Sequence, residues 1–274
     1  MKSFGKSKVL TTLLGLMIGL MMVAGCGSNS GDKTANQAAE VSGKVSASGS
    51  TALLPLLKPA QEEFHKMYDK VTVNIAGGGS FTGMNQVSEG TVNIGNSDVA
   101  LPTEFKDKGI VDHKVVVLPF VFITNKDVTV DNLTEQQAID ILTGKITNWK
   151  EVGGQDKAIT IIHRAKSSGS RATITETVLK GAAFTDQAVI QDSNGAVKAA
   201  IANTPGAIGY VDAPYADGSV KTLDYNGVKY SPEAVTSGKY PVYSYGHMYT
   251  KGEATGATKA FIDYVMSADF QNTY

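Results

Sequence analysis

Short β-branched runs alternate with helical stretches along most of this chain, and that alternation constrains its fold more than any other feature. Strands are expected at Lys44 to Ser48, Val71 to Ala76 and Val92 to Asn96, with helices at Leu53 to Tyr68 and Ser80 to Glu89 between them. A strand that returns through a helix pairs in parallel with its predecessor, so the pattern predicts an α/β protein of mainly parallel sheets flanked by crossover helices. Val111 to Thr124 is a longer apolar extended run interrupted by Pro119, suited to a strand that leaves one body of the protein and enters another. The alternation then resumes, with helices at Glu135 to Leu142, Ala172 to Leu179 and Asn194 to Ala202, and strands at Ile159 to His163 and Ala207 to Val211. Tyr240 to Tyr249 is extended again and suited to carry the chain back, and Ala257 to Met266 is an amphipathic helix.

The first residues follow a different logic. Lys2, Lys6 and Lys8 precede an apolar run from Val9 to Ala24 that is broken by Thr11, Thr12 and two glycines. Positive charge followed by a short apolar stretch is the pattern of a secretory signal, too short and too early for a permanent span. It ends Val23-Ala24-Gly25-Cys26, and small residues directly before a cysteine resemble the lipobox of bacterial lipoproteins. Cys26 is the only cysteine, so no disulfide forms within the chain. It is the expected lipidation site and the first residue of a mature protein held outside the cytoplasmic membrane. From Gly27 to about Ser42 the chain is polar and small with no apolar period, a flexible tether averaging roughly 20 to 25 Å end to end. Beyond it lie roughly 230 residues, enough for one large or two modest α/β domains. The formal net charge is −1 and no basic block follows the signal segment, which argues against nucleic acid as a partner.

In open α/β sheets ligands sit beyond the carboxyl ends of strands, and four strand ends here run into polar turns. Ser48-Gly49-Ser50-Thr51-Ala52 follows the first strand and opens a helix with Pro55 in its first turn. Gly77-Gly78-Gly79-Ser80-Phe81-Thr82-Gly83 follows the second and opens another, while Asn96-Ser97-Asp98 sets a carboxylate at the end of the third. The fourth, His163 to Arg171, delivers Arg164 and then Ser168-Gly169-Ser170 ahead of a helix. The first turn of a helix carries unpaired N–H groups and about half a unit of positive charge, so an anion there is both hydrogen-bonded and attracted. Gly169 lets the backbone come close, Ser168 and Ser170 add hydroxyl donors, and Arg164 presents a planar fork of N–H groups. Taken singly, each turn reads equally well as an ordinary capped helix start. Three Ser/Thr-and-Gly helix starts and an arginine together point to one kind of ligand, a small tetrahedral oxyanion.

With those residues assembled, the chain resembles the phosphate-binding proteins of bacterial ABC phosphate importers, whose fold is the two-lobed periplasmic-binding-protein fold of type II (cluster D). The matching stretches are Ser48-Gly49-Ser50-Thr51, Gly77-x-Gly79-Ser80, Ile94-Gly95-Asn96-Ser97-Asp98, Arg164-x-x-x-Ser168-Gly169-Ser170 and Pro205-Gly206-Ala207-Ile208-Gly209-Tyr210, in family order over most of the body. The resemblance implies two lobes, each a mainly parallel sheet flanked by helices, with the ligand in the cleft between them. It divides the chain into a lipoprotein signal peptide (1–25), a tether (26–43), the first part of lobe 1 (44–123), lobe 2 (124–243) and a return to lobe 1 (244–274). It implies that inorganic phosphate is enclosed by Ser50, Thr51, Ala52, Ser80 and Asp98 from the first lobe and by Arg164, Ser168, Gly169 and Ser170 from the second. Binding closes the hinge, because only then do both sets of donors reach one anion. The implied partners are phosphate, a membrane-embedded ABC permease, and the membrane itself through a lipid on Cys26; the protein is then a monomer on the extracytoplasmic face of the cell membrane. Two departures stand out. Relatives with an acidic residue two positions after the arginine use it to orient the guanidinium, whereas Lys166 stands there, leaving Arg164 to lean on Asp98 alone or Lys166 to add positive potential at the mouth. Relatives also extend past the last helix, so the chain reads as truncated.

A carboxylate facing an anion repels it unless a proton lies between them. Phosphate near neutral pH keeps a proton that Asp98 can accept, and sulfate has none, so a dry site would penalise sulfate through an unpaired acceptor and like-charge repulsion. Other ligand classes remain open at this level: sulfate, molybdate or a phosphate ester within the binding-protein class, and a surface adhesin outside it. An enzyme is the weaker reading. Gly77-x-Gly79-x-x-x-Gly83 only loosely imitates a dinucleotide fingerprint, and no Gly-x-Ser-x-Gly elbow is present. No cofactor and no metal are expected, since His65, His113, His163 and His247 lack metal-ligand spacing with one another. His163 adjoins the arginine loop as a supporting residue, and Trp149, Tyr210, Tyr215, Tyr243 and Tyr245 read as core or interlobe packing.

Overall fold

The computed structural model describes residues 41–273. The signal segment, Cys26 and all but the last residues of the tether lie outside the described residues. In chain order the elements are β1 (Gly43–Gly49), α1 (Leu54–Met67), β2 (Val71–Ala76), α2 (Ser80–Glu89), β3 (Ile94–Ser97), β4 (Ile110–Thr124), β5 (Asn132–Leu133), α3 (Glu135–Leu142), β6 (Thr160–Arg164), α4 (Gly169–Thr177) and β7 (Val189–Gln191). They continue with α5 (Asn194–Ala202), β8 (Ala207–Asp212), β9 (Lys221–Thr222), β10 (Asp224–Tyr225), α6 (Pro232–Thr236), β11 (Tyr243–Lys251), α7 (Gly256–Val265) and α8 (Ala268–Gln271).

One sheet runs in the order β2-β1-β3-β11-β4-β8-β6-β7, with β9 beside β4 and the short β5 and β10 paired apart. The α/β class and the flanking helices are as the alternation predicts. Within the large sheet parallel pairing is confined to the two ends, β2-β1-β3 and β8-β6-β7. Between them β11 runs antiparallel to β3 and β4, and β4 runs antiparallel to β8, so the sheet is mixed.

The long run around Pro119 explains the continuity. β4 pairs with β11 as far as Pro119 and with β8 from Phe120 onward, handing over where proline has no N–H to give. The next N–H, on Phe120, goes to the Val242 carbonyl at 2.9 Å. Aromatic side chains seal both ends: Phe64 of α1 meets Phe261 of α7 edge-on at 5.3 Å, and Trp149, fully buried, donates its indole N–H to the Gly206 carbonyl at 2.9 Å. Burying one such ring is worth roughly 1.5 to 3 kcal/mol.

Element ends differ from the sequence expectation for local reasons. α4 opens at Gly169 rather than Ala172 because Ser168 caps it, its Oγ accepting the Arg171 N–H at 3.2 Å. β3 opens at Ile94 rather than Val92 because the Asn93 side chain is spent on Ser46, accepting its N–H at 2.8 Å and its hydroxyl at 2.9 Å. Tyr210 is core as expected, but Tyr243 is only half-buried and Tyr245 is exposed, so these two are not packing residues of the interior.

Candidate functional site

Gly49, at the end of β1, has φ +130° and lies so close to β3 that a Cβ there would sit 2.2 Å from the Asn96 carbonyl oxygen. Only glycine fits, and the tight turn that follows buries Ser50, Thr51 and Ala52. The Ser50 N–H bonds the Asn96 carbonyl at 2.9 Å and its Oγ accepts the Leu53 N–H at 3.2 Å, fixing the turn ahead of α1. Ser80 opens α2, and its Oγ accepts the Asp98 N–H at 2.9 Å, tying that helix start to the end of β3.

Asp98 is the centre of the arrangement. It is buried, and its two oxygens are met from opposite ends of the sheet: the Ser50 hydroxyl donates to Oδ1 and the Ser170 hydroxyl to Oδ2 at 2.7 Å. Burial pushes the Asp98 carboxyl up from its ordinary value, against the hydrogen bonds from Ser50 and Ser170, the Arg164 charge and Ser80, which pull it down. The carboxyl therefore holds a proton more tightly than a solvated aspartate.

Arg164 is the last residue of β6, and its buried guanidinium spans the same gap. Its Nη1–H donates to Thr51 Oγ1 at 3.2 Å, while Nε–H and Nη2–H donate to the Gln191 and Asp192 carbonyls at 3.2 and 2.7 Å. The guanidinium thus does not lean on Asp98 alone. Backbone carbonyls at the end of β7 orient it, and Lys166 is exposed. Burial lowers the Arg164 pKa and the Asp98 charge opposes that, but from so high a starting value the group stays cationic.

Ser168, Gly169 and Ser170 are buried at the start of α4, whose first N–H groups have no acceptor within the helix. All nine anticipated residues therefore come together. The two sides also touch directly: the Phe81 N–H bonds the Ser167 carbonyl at 3.1 Å, and a Cβ on Gly169 would sit 2.2 Å from Ser80 Oγ.

His163 lies behind this cluster rather than in it. Its ring stacks on Phe184 at 4.4 Å, and burial, with the Arg171 charge beside it, lowers its pKa to about 4. The neutral ring donates from Nδ1 to the Arg164 carbonyl at 3.0 Å, which also accepts from Arg171 Nη1 at 2.9 Å, so both brace the backbone that carries Arg164.

Two further residues belong to the arrangement: Asn194, which the sequence reading does not single out, and Tyr215, expected only as core or interlobe packing. Asn194, fully buried at the first position of α5, bonds Thr51 Oγ1 through its N–H at 3.2 Å and its Nδ2 at 3.0 Å, and its Nδ2 reaches Ser170 Oγ at 3.4 Å. Its Oδ1 accepts the Asp212 N–H at 3.0 Å. Tyr215 donates its hydroxyl to the Thr51 carbonyl at 2.6 Å. The signal for Asn194 was present, since Gln191-Asp192-Ser193-Asn194-Gly195 is another polar turn opening a helix. The three-residue β7 before it is too short to show a period.

Residues 34–269 match the family described as the PBP superfamily domain. The phosphate-binding protein PstS of Bacillus subtilis (strain 168) is 45% identical over 229 residues, covering 82% of this chain and 76% of that protein. PstS of Borreliella burgdorferi is 30% identical over 240 residues, covering 83% and 86%. A solved structure described as a phosphate ABC transporter substrate-binding protein with bound phosphate, from Clostridium perfringens, superposes with a TM-score of 0.81 at 34% identity, covering 84% of this chain and 96% of that one. The architecture is accordingly the periplasmic-binding-protein fold.

Proposed function

The chain belongs to the PBP superfamily and, within it, to the PstS phosphate-binding proteins, and on that premise we propose that it captures inorganic phosphate between two lobes and delivers it to an ABC-type permease. Residues 44–123 and 244–274 form one lobe and 124–243 the other. Cys26 carries the lipid that holds the monomeric protein on the extracytoplasmic face of the cell membrane, which mass spectrometry of membrane-released protein checks.

One observation carries the reading. An oxyanion, the Asp98 carboxylate, already accepts hydroxyls that arrive from both ends of the sheet, with the Arg164 guanidinium alongside. Phosphate takes its hydrogen bonds from Ser50, Thr51, Ala52 and Ser80 on one side and from Arg164, Ser168, Gly169 and Ser170 on the other. Asp98, whose raised pKa marks a strong proton acceptor, takes the proton that phosphate keeps and sulfate lacks. Discrimination thus comes from a repulsive element as well as an attractive one.

Calorimetric titration of phosphate-stripped protein with phosphate and with sulfate tests this. Phosphate binds and sulfate does not, and Asp98→Asn narrows the gap at least about tenfold, the order expected when one unpaired buried acceptor is removed. No heat with phosphate overturns the function, and a variant that rejects sulfate as strongly as the parent removes the role given to Asp98.

A further inference from the structure

A cavity of about 540 Å³ opens beside the middle of β4 and the start of β11. That is within the range of roughly 300 to 1,000 Å³ common to small-molecule sites. Its wall is largely apolar, with Leu56 and Pro119 among its lining residues, and Tyr230, Tyr243 and Tyr245 line it too. It shares Ala52 with the anion site and adjoins it through Asp212, whose N–H is held by the Asn194 side chain, while its other lining residues are not among those assigned to the anion. Tyrosines aside, Asp212 is its sole ionisable lining residue among the described residues.

Asp212 ends β8 and is 1% exposed, yet among the described residues neither of its carboxylate oxygens has a hydrogen-bond partner. The neighbouring Ala213 N–H is near enough to act on the carboxylate electrostatically but is not aligned for a hydrogen bond. Its own N–H is satisfied by Asn194, so the unmet demand belongs to the side chain alone. A buried carboxylate without donors is costly and is relieved either by a proton or by a cation. Burial and the Asp98 charge do push its proton affinity well up, as expected of a group with no partner.

The rings beside it suit a cation. The negative faces of aromatic rings attract ammonium groups, most strongly where water is excluded. Tyr245 shows the tendency within the protein: the Lys114 ammonium sits 4.0 Å from its ring centroid. Tyr243 stands edge-on to Tyr245 at 6.1 Å, so the two rings offer faces in different directions.

We propose that this cavity is a second ligand site that takes a small organic ammonium, its apolar body against the prolines and tyrosines and its charged N–H groups on the Asp212 carboxylate. Anions are disfavoured by Asp212, and a neutral alcohol of the same shape offers the carboxylate only an uncharged hydrogen bond. The proposal does not depend on phosphate binding.

The test is calorimetric titration of the full chain, in phosphate-free buffer, with 2-phenylethylammonium chloride and with neutral 2-phenylethanol. The ammonium is expected to bind saturably and at least about tenfold more tightly than the alcohol, the margin of a charge-assisted over a neutral hydrogen bond. Asp212→Asn is expected to abolish that preference, and Tyr243→Leu, at a half-buried strand position, to weaken the ammonium severalfold. Absence of ammonium binding, equal affinity for the two probes, or a preference retained in Asp212→Asn overturns the proposal. Should Asp212→Asn fail to fold, an unchanged ammonium affinity in Tyr243→Leu does the same.

Discussion

Gly169→Ala isolates the contact on which the proposed two-sided capture depends. The added Cβ would lie 2.2 Å from Ser80 Oγ and 2.9 Å from Asp98 Cβ, distances that cannot persist. Gly169 does not have a positive φ and is the first residue of α4, so alanine suits its backbone and is worth roughly 0.5 to 1 kcal/mol in helix propensity. The local helix therefore does not suffer, and the conflict falls on the gap between the two ends of the sheet. Either Ser80 turns away and abandons the Asp98 N–H, or α4 retreats and draws the Ser170 hydroxyl from Asp98. Losing a hydrogen bond to a charged group costs about 1.5 to 3 kcal/mol, and overpacking adds about 1 to 3 kcal/mol. Relaxation shares the two, so a net loss of about 2 to 4 kcal/mol is expected, which weakens phosphate binding roughly 30- to 1,000-fold. Gly195→Ala is the control: it is the second residue of α5, its Cβ would meet nothing nearer than the Tyr215 ring at 3.7 Å, and it gains the same propensity. Calorimetry with phosphate should show a large loss for Gly169→Ala and none for Gly195→Ala, with Gly195→Ala melting slightly higher than the parent. Phosphate affinity within about twofold of the parent in Gly169→Ala would refute the claim that these surfaces must meet around the anion.

Asn194→Ala removes the amide that ties Thr51, Ser170 and the Asp212 N–H together, and phosphate affinity should fall roughly tenfold, about 1 to 2 kcal/mol, by calorimetry. An unchanged affinity would make Asn194 a purely structural link. The folded chain holds the Asp212 proton well above 3.8, where the unfolded chain releases it, so as pH rises between those values the folded state binds more protons and stability falls. Asp212→Asn deletes that slope, which is about 1.4 kcal/mol per pH unit while only the folded chain keeps the proton, or about 2 to 4 °C of melting temperature per kcal/mol. The readout is the slope of melting temperature from about pH 4 to 7, because the new amide brings its own burial cost, and parallel curves for parent and variant would contradict the assignment.

What could be read from the sequence was local chemistry: β-branched runs, turn residues at strand ends, a proline where one strand changes partners. What could not be read was anything supplied by register. The carbonyls that hold Arg164 belong to Gln191 and Asp192, and a carbonyl leaves no mark on a sequence; only the β6–β7 pairing, Arg164 opposite Gln191, brings them there. Tyr215 is an ordinary residue until the chain leaving β8 brings its hydroxyl to the Thr51 carbonyl, and Asp212 until the end of β8 sets its N–H on the Asn194 side chain. The glycines show the same limit. Gly79 and Gly169 each have a local explanation at a helix start, yet a Cβ on Gly79 would lie 2.6 Å from the Ser167 carbonyl oxygen, and one on Gly169 would strike Ser80. Each glycine thus makes room for the serine segment of the opposite turn, while the neighbouring serines supply hydroxyls to the shared centre at Asp98. The recurrence of Gly beside Ser at both helix starts follows from two surfaces that must approach to within contact and still present donors.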